Sequence, residues 1–293
     1  MPVIVLRPAR YLIAVADHGS FTRAAAALHV SQPAMSQQVK QLEESLGVKL
    51  LDRSHARLKP TDAGRIYIEH LRRALQSIDA AGRAVHDVEN LAEGTLRIAF
   101  LPLFTPYLVG PVVAEFYRRY PGVTLSVEIL AQARIEAALA DDQIDVGVGF
   151  STVELDSITV EPLRDEELHL VVGKKHPAFS RKTYPVKALD RTDLALFTPA
   201  FITRVPIDLF LREHSVHPRI AVEANSVDSI VAVVKDSSLA TILPASIARH
   251  DDHLRAIPLT PAMAPRTVSI LLRADSYLSA ATRAFQELMR NWK

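Results

Sequence analysis

Gly19-Ser20-Phe21-Thr22-Arg23-Ala24-Ala25, followed by Val30-Ser31-Gln32-Pro33-Ala34-Met35-Ser36-Gln37-Gln38-Val39-Lys40-Gln41-Leu42-Glu43, decides the reading of this 293-residue chain. Ser20 is a good N-cap, because its hydroxyl can accept from an otherwise unpaired N–H of the first turn. It predicts a helix from Phe21 to Leu28, and the Ala24–Ala27 run allows close approach of a neighbour. His29-Val30 leaves room only for a short turn. Ser31 then caps a further helix, with Pro33 in its first turn, where a missing N–H does no harm. That helix runs to about Leu46 and stops at Gly47. Upstream, Leu6, Tyr11, Leu12, Val15 and Ala16 keep a helical rhythm that ends at His18-Gly19.

Two short helices joined by a tight turn form a helix-turn-helix, whose second helix offers its N-terminal side chains to the major groove of DNA. Here those side chains are Ser31, Gln32, Ser36, Gln37 and Lys40, while Ala34, Val39, Leu42 and Leu46 are expected to dock the helix. Gln can pair with adenine through two hydrogen bonds, and Ser with a base or a phosphate. Downstream, Leu50 to Pro60 reads as two short strands around a basic turn, a wing in which Arg53 and Arg57 would reach phosphates or the minor groove. Residues 1–61 hold eight Lys/Arg against four Asp/Glu, whereas the whole chain has a net charge of only +1. Phosphate binding needs such local gathering of cations.

These residues resemble a known family. The two runs quoted above, with Leu46-Gly47-Val48-Lys49-Leu50-Leu51-Asp52-Arg53 and Leu58-Lys59-Pro60-Thr61-Asp62-Ala63-Gly64, strongly resemble the LysR-type DNA-binding domain over some sixty contiguous positions. The resemblance implies that Gln32, Pro33, Ser36 and Gln37 contact bases or backbone and that Arg53 sits in the wing. Gln37 stands where many members carry Arg.

Thr61 caps a long helix predicted to about Asn90. Leu71, Leu75, Ile78 and Val85 form an apolar seam flanked by Arg72, Arg73, Asp79, Arg83 and Asp87. A helix of about 30 residues spans roughly 45 Å and cannot bury that seam on one small domain. A second copy is expected to cover it, and Gly82 permits close approach at a cost of about 1 kcal/mol against Ala. The resemblance implies two such helices lying antiparallel, and with them a homotetramer built as a dimer of dimers.

Beyond Gly94 strands and helices alternate. Leu96–Phe100, Val123–Ile129 and Ile144–Phe150 read as strands around helices Val109–Tyr120 and Ile135–Ala140. A second series has strands Leu168–Val172, Leu194–Phe197, Ile220–Ala224 and Ala240–Leu243, with helices Val205–His214 and Val227–Asp236. Strand Val268–Leu272 and helix Ala280–Trp292 return to the first lobe. Such alternation predicts parallel sheets covered by helices, with a ligand cleft at the carboxyl ends of the strands. The fold class expected is therefore α/β behind an all-α winged helix-turn-helix. The resemblance adds that the C-terminal part is a two-lobed, Rossmann-type domain like periplasmic binding proteins. The expected division is 1–61 for DNA binding, 62–91 for a dimerising linker helix and 92–293 for effector binding. Lobe I would cover about 92–164 and 268–293, and lobe II about 165–267.

Within that family the C-terminal wording is most similar to the cyanate-operon regulators, which implies a small anion such as cyanate as effector. The chain departs from that pattern with Leu101-Pro102-Leu103, where Thr or Ser is expected on both sides of the Pro. The cleft candidates are Leu101, Leu103, Thr105, Gly149, Thr198, Phe201, Thr203, Arg204, Asn225 and Ser226, with Arg204 the natural charge complement for an anion.

Other readings fare worse. The chain has no cysteine, which removes disulfides, thiolate zinc sites and a cysteine nucleophile. Gly147-Val148-Gly149 lacks the third glycine of a dinucleotide loop. The pairs His214/His217 and His250/His253 lack a third metal ligand. No Gly-x-Ser-x-Gly elbow is present. Neither catalysis nor a cofactor is therefore expected. A solute-binding protein of a transport system would explain residues 95–293 equally well, but it would need export, and Met1–Leu6 is too short for a signal-peptide core. With no apolar run of membrane length, a cytoplasmic protein without membrane partners is expected.

Overall fold

A computed structural model describes residues 6–53, 58–87, 94–199, 201, 203–249, 251–274 and 276–292, with only the backbone described at 76 and 79–87. The chain forms two compact units, residues 1–83 and 84–293.

The first unit is built on α1 (Leu6–His18), α2 (Phe21–Ala27) and α3 (Gln32–Leu46). Ser20 Oγ accepts from the Arg23 N–H, so the predicted cap forms. Ser31 has the extended backbone of an N-cap without a side-chain bond, and Pro33 lies in the first turn. Gly47 ends α3 with φ of +68°, in the left-handed region where L side chains are strained. Leu12, Val15, Ala24, Ala25, Met35 and Val39 are buried together. Met35, not Ala34, anchors the start of α3; Ala34 is exposed, because the inward face runs through positions 35, 39 and 43, with the expected Leu42 and Leu46 packed beside it. Strands β1 (Leu51–Asp52) and β2 (Lys59–Pro60) pair antiparallel at the base of the wing. The wing tip, including Arg57, lies outside the described residues.

Helix α4 (Asp62–Asp87) follows. Thr61 Oγ1 accepts from Gly64 N at 2.9 Å and donates to Lys49 O at 2.8 Å, which caps the helix and ties it to β1. The expected seam is partly used within the chain. Leu71 is buried with Ile68 in the core of the first unit, and Leu75 packs against it, whereas Ile78 is exposed. The Val85 side chain and residues 88–90 are outside the described set.

The second unit carries two five-stranded sheets. The first has the order β4-β3-β5-β14-β6, from β3 (Gly94–Phe100), β4 (Val123–Ile129), β5 (Val146–Phe150), β6 (Ile158–Glu166) and β14 (Arg266–Arg273). The second has the order β10-β9-β11-β7-β12, from β7 (Leu168–Gly173), β9 (Leu194–Phe197), β10 (Ile220–Ala224), β11 (Ala240–Pro244) and β12 (Leu254–Ile257). Short strands β8 (Tyr184–Pro185) and β13 (Leu259–Thr260) pair in parallel. The chain thus passes from the first sheet to the second at Glu167 and returns between β13 and β14.

The sheets are mixed rather than parallel. β14 runs antiparallel to β5 and β6, and β7 antiparallel to β11 and β12. Edge strand β6 escaped the sequence reading because its faces are half exposed and it carries Glu161, Arg164 and Asp165 instead of an apolar run. In β9 the alternation serves two cores: Leu194 and Leu196 face one, Ala195 and Phe197 the other. Helices α5 (Gly110–Arg119), α6 (Gln132–Ala140) and α9 (Ala280–Arg290) belong to the first lobe, and α7 (Arg204–Glu213) and α8 (Val227–Asp236) to the second. Across β3, Arg97 makes a two-pronged bond to Asp145 with contacts of 2.6 and 3.2 Å.

His176, in the turn after β7, is buried, and its Nδ1 accepts from Ala178 N at 3.0 Å. Burial, reinforced by Arg181, holds the imidazole below its ordinary value near 6.5. The folded chain therefore keeps it neutral while the unfolded chain takes up a proton, so stability is lost as pH falls below that ordinary value. Thermal melts at decreasing pH are expected to show a falling midpoint, and His176→Asn, which keeps an acceptor but cannot titrate, is expected to flatten that fall.

Candidate functional site

Two places in the molecule are built for recognition, one in each unit. On α3, Gln32, Pro33, Gln37 and Lys40 are exposed and Ser36 is half-buried. Their three- and four-residue spacing puts them on one helix face, and Met35 and Val39, fully buried on the adjoining face, fix the helix against the core. The polar face is thus held rigidly without contributing to the core. Lys40 has a loose ion pair with Glu44 at 3.6 Å, both largely exposed, and such a pair costs little to exchange for a phosphate.

Beside the wing runs a groove lined by Lys49, Arg53, Lys59 and Arg65, with Asp52 and Asp62. Sequence reasoning found Arg53 but not the three other cations, whose only signal was the local charge. Arg53 is also less free than expected. Its guanidinium lies 3.3 Å from Glu43 Oε2 and sits over the Phe21 ring at 5.4 Å from the centroid. Glu43 itself was missed. It is a buried carboxylate whose Oε1 accepts from Leu50 N at 2.8 Å and Leu51 N at 3.1 Å, and it thereby sets where β1 begins relative to α3.

In the second unit a cavity of about 740 Å³ opens at the carboxyl ends of β3, β9 and β10. Of the predicted residues it gathers Leu101, Leu103, Thr198, Phe201, Thr203 and Asn225. It adds Gln132, Phe197, Glu223 and Ala224, which sequence reasoning missed because nothing in a helix start or a strand end marks a wall before the lobes are placed. Four predicted residues are not on the wall. Thr105 is exposed in the turn leading to α5. Gly149 is buried inside β5, where a Cβ would meet Gln132 Oε1 at 2.6 Å; the glycine makes room for Gln132, which bonds both Phe150 N and Phe150 O. Ser226 caps α8 by accepting from Ser229 N.

Arg204 is the largest departure. It is buried, with Nε bonding Asp208 Oδ1 at 2.7 Å and Nη1 bonding both Phe197 O and Glu223 Oε1, the latter at 2.9 Å. Burial opposes its charge, but the hydrogen bonds to Asp208 and Glu223 outweigh this and raise its pKa further. It braces the cleft wall and is not available to an anion. Among the described residues no group of three or more His, Cys, Asp or Glu could hold a metal ion, and no helix is long and apolar enough to cross a membrane.

Residues 6–65 match the family of bacterial regulatory helix-turn-helix proteins of the lysR type, and residues 89–293 match the LysR substrate binding domain. The chain belongs to the LysR family.

It is accordingly a DNA-binding transcription regulator with an effector-binding domain, and the transport reading is not favoured. Among its LysR relatives, a protein named "Probable RuBisCO transcriptional regulator" from Chlorokybus atmophyticus is 32% identical over 94% of this chain and 90% of its own length. One of the same name from Synechocystis is 28% identical over 94% and 83%. These relatives carry that name rather than the cyanate-operon one. The LysR fold agrees with solved structures. A full-length OxyR variant from Pseudomonas aeruginosa superposes with a TM-score of 0.72 at 23% identity over 99% of this chain and 94% of its own. CbnR complexed with its target DNA superposes at 0.67, 24% identical, over 98% and 99%.

Proposed function

We propose that Gln32, Pro33, Ser36, Gln37 and Lys40 face the major groove, while Lys49, Arg53 and Lys59, with Arg57, hold phosphates beside the wing. The supporting observation is that these side chains of α3 are exposed or half-buried while Met35 and Val39 are buried in the core and hold the helix in place. Residues 1–61 then read DNA, the helix over 62–91 pairs two copies, and 92–293 sense a small molecule in the cleft. Exposed Ile78 gives a second copy something apolar to cover, and a dimer of dimers would present paired reading heads. A bound effector acts only if it prefers one arrangement of the lobes over another. Such a protein works in the cytoplasm and needs neither catalysis nor a membrane.

The relatives' name makes the upstream regions of RuBisCO genes the first duplexes to try, with a cyanate operon as the second. Cyanate draws no support from the cleft, because Arg204 is engaged elsewhere and Leu101 and Leu103 offer no donors. Fluorescence anisotropy of labelled duplex against salt tests the DNA reading. Affinity is expected to fall steeply with salt, and Lys40→Ala to reduce the log–log slope by about 1. Salt-independent or absent binding would refute it, and a monomer in sedimentation of the full chain would refute the pairing.

A further inference from the structure

We propose that the cleft takes an uncharged, mainly apolar and planar molecule carrying one hydrogen-bonding group, not an anion; this rests on reading the cleft as the effector site. Charge is the first reason. Among the described residues no lysine, arginine or histidine lines the cavity. Arg204, next to the lining residue Thr203, is shared between two carboxylates, Asp208 and Glu223, so this cluster carries one net negative charge, and Glu223 is on the wall. Arg266 lies over the Phe150 ring, 3.8 Å from its centroid, and is not among the lining residues. An anion entering here would lose water and meet a carboxylate instead of a counter-ion.

Shape and surface are the second reason. Leu101, Leu103, Phe197, Phe201 and Ala224 dominate the wall, and the Phe197 and Phe201 rings are stacked, 4.8 Å between centroids and 10° between planes. That arrangement extends naturally to one more flat ring. A cavity of about 740 Å³ suits a ligand of metabolite size; a three-atom anion, little larger than a water at ~30 Å³, would leave it mostly filled with solvent. The third reason is Thr203. Its Oγ1 is buried and has no hydrogen-bond partner, although the residue lines the cleft. Buried hydroxyls are normally satisfied, and a turn about χ1 would bring this one from beneath the wall to a ligand carbonyl, amide or hydroxyl. The start of α6, at Ala131–Ala133, also faces the cavity, and its free N–H groups serve a carbonyl oxygen without requiring a full charge.

A matched series isolates the charge. Calorimetry and saturation-transfer NMR on the full chain would use benzamide, benzoate, benzylammonium and cyanate. Benzamide is expected to bind at least about tenfold more tightly than benzoate and cyanate, since an uncompensated buried charge costs more than one factor of ten in affinity, and more tightly than benzylammonium, because Glu223 already pairs with Arg204. Thr203→Val is expected to weaken benzamide several-fold and Thr203→Ser to restore it, with melting curves confirming that both variants fold. Ala224→Trp, which fills the cavity, is expected to abolish binding. If benzoate, cyanate or benzylammonium binds as well as benzamide and is lost in Ala224→Trp, the uncharged class is overturned while the cleft stands as the site. If benzamide binds undiminished to a folded Ala224→Trp, the cleft itself is not the site. Silence from all four probes also overturns the proposal.

Discussion

Gly64→Ala is expected to destabilise the first unit by about 3–5 kcal/mol, although alanine normally favours a helix over glycine by about 1 kcal/mol. Gly64 lies in the first turn of α4, and a Cβ built there falls 2.0 Å from Leu50 O and 2.9 Å from Leu50 C. Both atoms are backbone, so no side chain can swing aside. The same carbonyl accepts from Thr61 N, and Thr61 in turn holds Lys49 O and Gly64 N. To admit one methyl group, α4 must lift from β1 and give up these bonds together. Gly110→Ala is the control. It also lies at the start of a helix, but nothing stands within 4 Å of its Cβ, so it is expected to be neutral or slightly stabilising. Denaturant titration of the three proteins, followed by hydrogen exchange at the Leu50 amide, checks the pair. Equal effects at the two glycines would mean that α4 does not approach β1 so closely.

Glu43→Ala is the next largest, at about 2–5 kcal/mol. Removing the carboxylate leaves the Leu50 and Leu51 N–H groups buried without an acceptor, and each such orphan costs roughly 1–3 kcal/mol. The ion pairs to Lys49 and Arg53 matter much less, because those side chains are 67% and 43% exposed. Glu43→Gln separates the two contributions. It keeps an amide oxygen for both N–H groups and discards the charge, so it is expected to cost only about 1 kcal/mol. Thermal and denaturant unfolding of both variants gives the comparison. If Gln proved as damaging as Ala, ion pairing rather than backbone capture would be the role of Glu43.

How far the sequence could be read follows from the range of each interaction. Helix ends in the first unit were legible because Ser20, Pro33 and Gly47 act on their own turns. On α3, Val39, Leu42 and Leu46 face the core as expected, and only Ala34 is misplaced in favour of Met35, since both are apolar and only packing separates them. Glu43 looked like any surface acid on a helix; its partners lie seven and eight residues on, beyond the helix end. In the second unit the strands with continuous apolar runs were found, and the half-exposed β6 and the short β12 were not. Strand direction was invisible, because the antiparallel neighbours of β14 and β7 come from distant parts of the chain. Arg204 was assigned to an anion for the same reason: Glu223, nineteen residues away, claims it only after folding. The apolar wall at Leu101 and Leu103, a purely local feature, was visible from the start.

Base reading by the outer face of α3 is tested most directly by selecting duplexes from a random-sequence pool with the full chain, and repeating the selection with Gln32→Ala and Ser36→Ala. If those side chains reach base edges, the wild type recovers a recurrent sequence. Each variant then loses preference at one or two positions, by about 1–3 kcal/mol per position, while keeping the rest. Recovery of the same sequence with undiminished preference by both variants would contradict it.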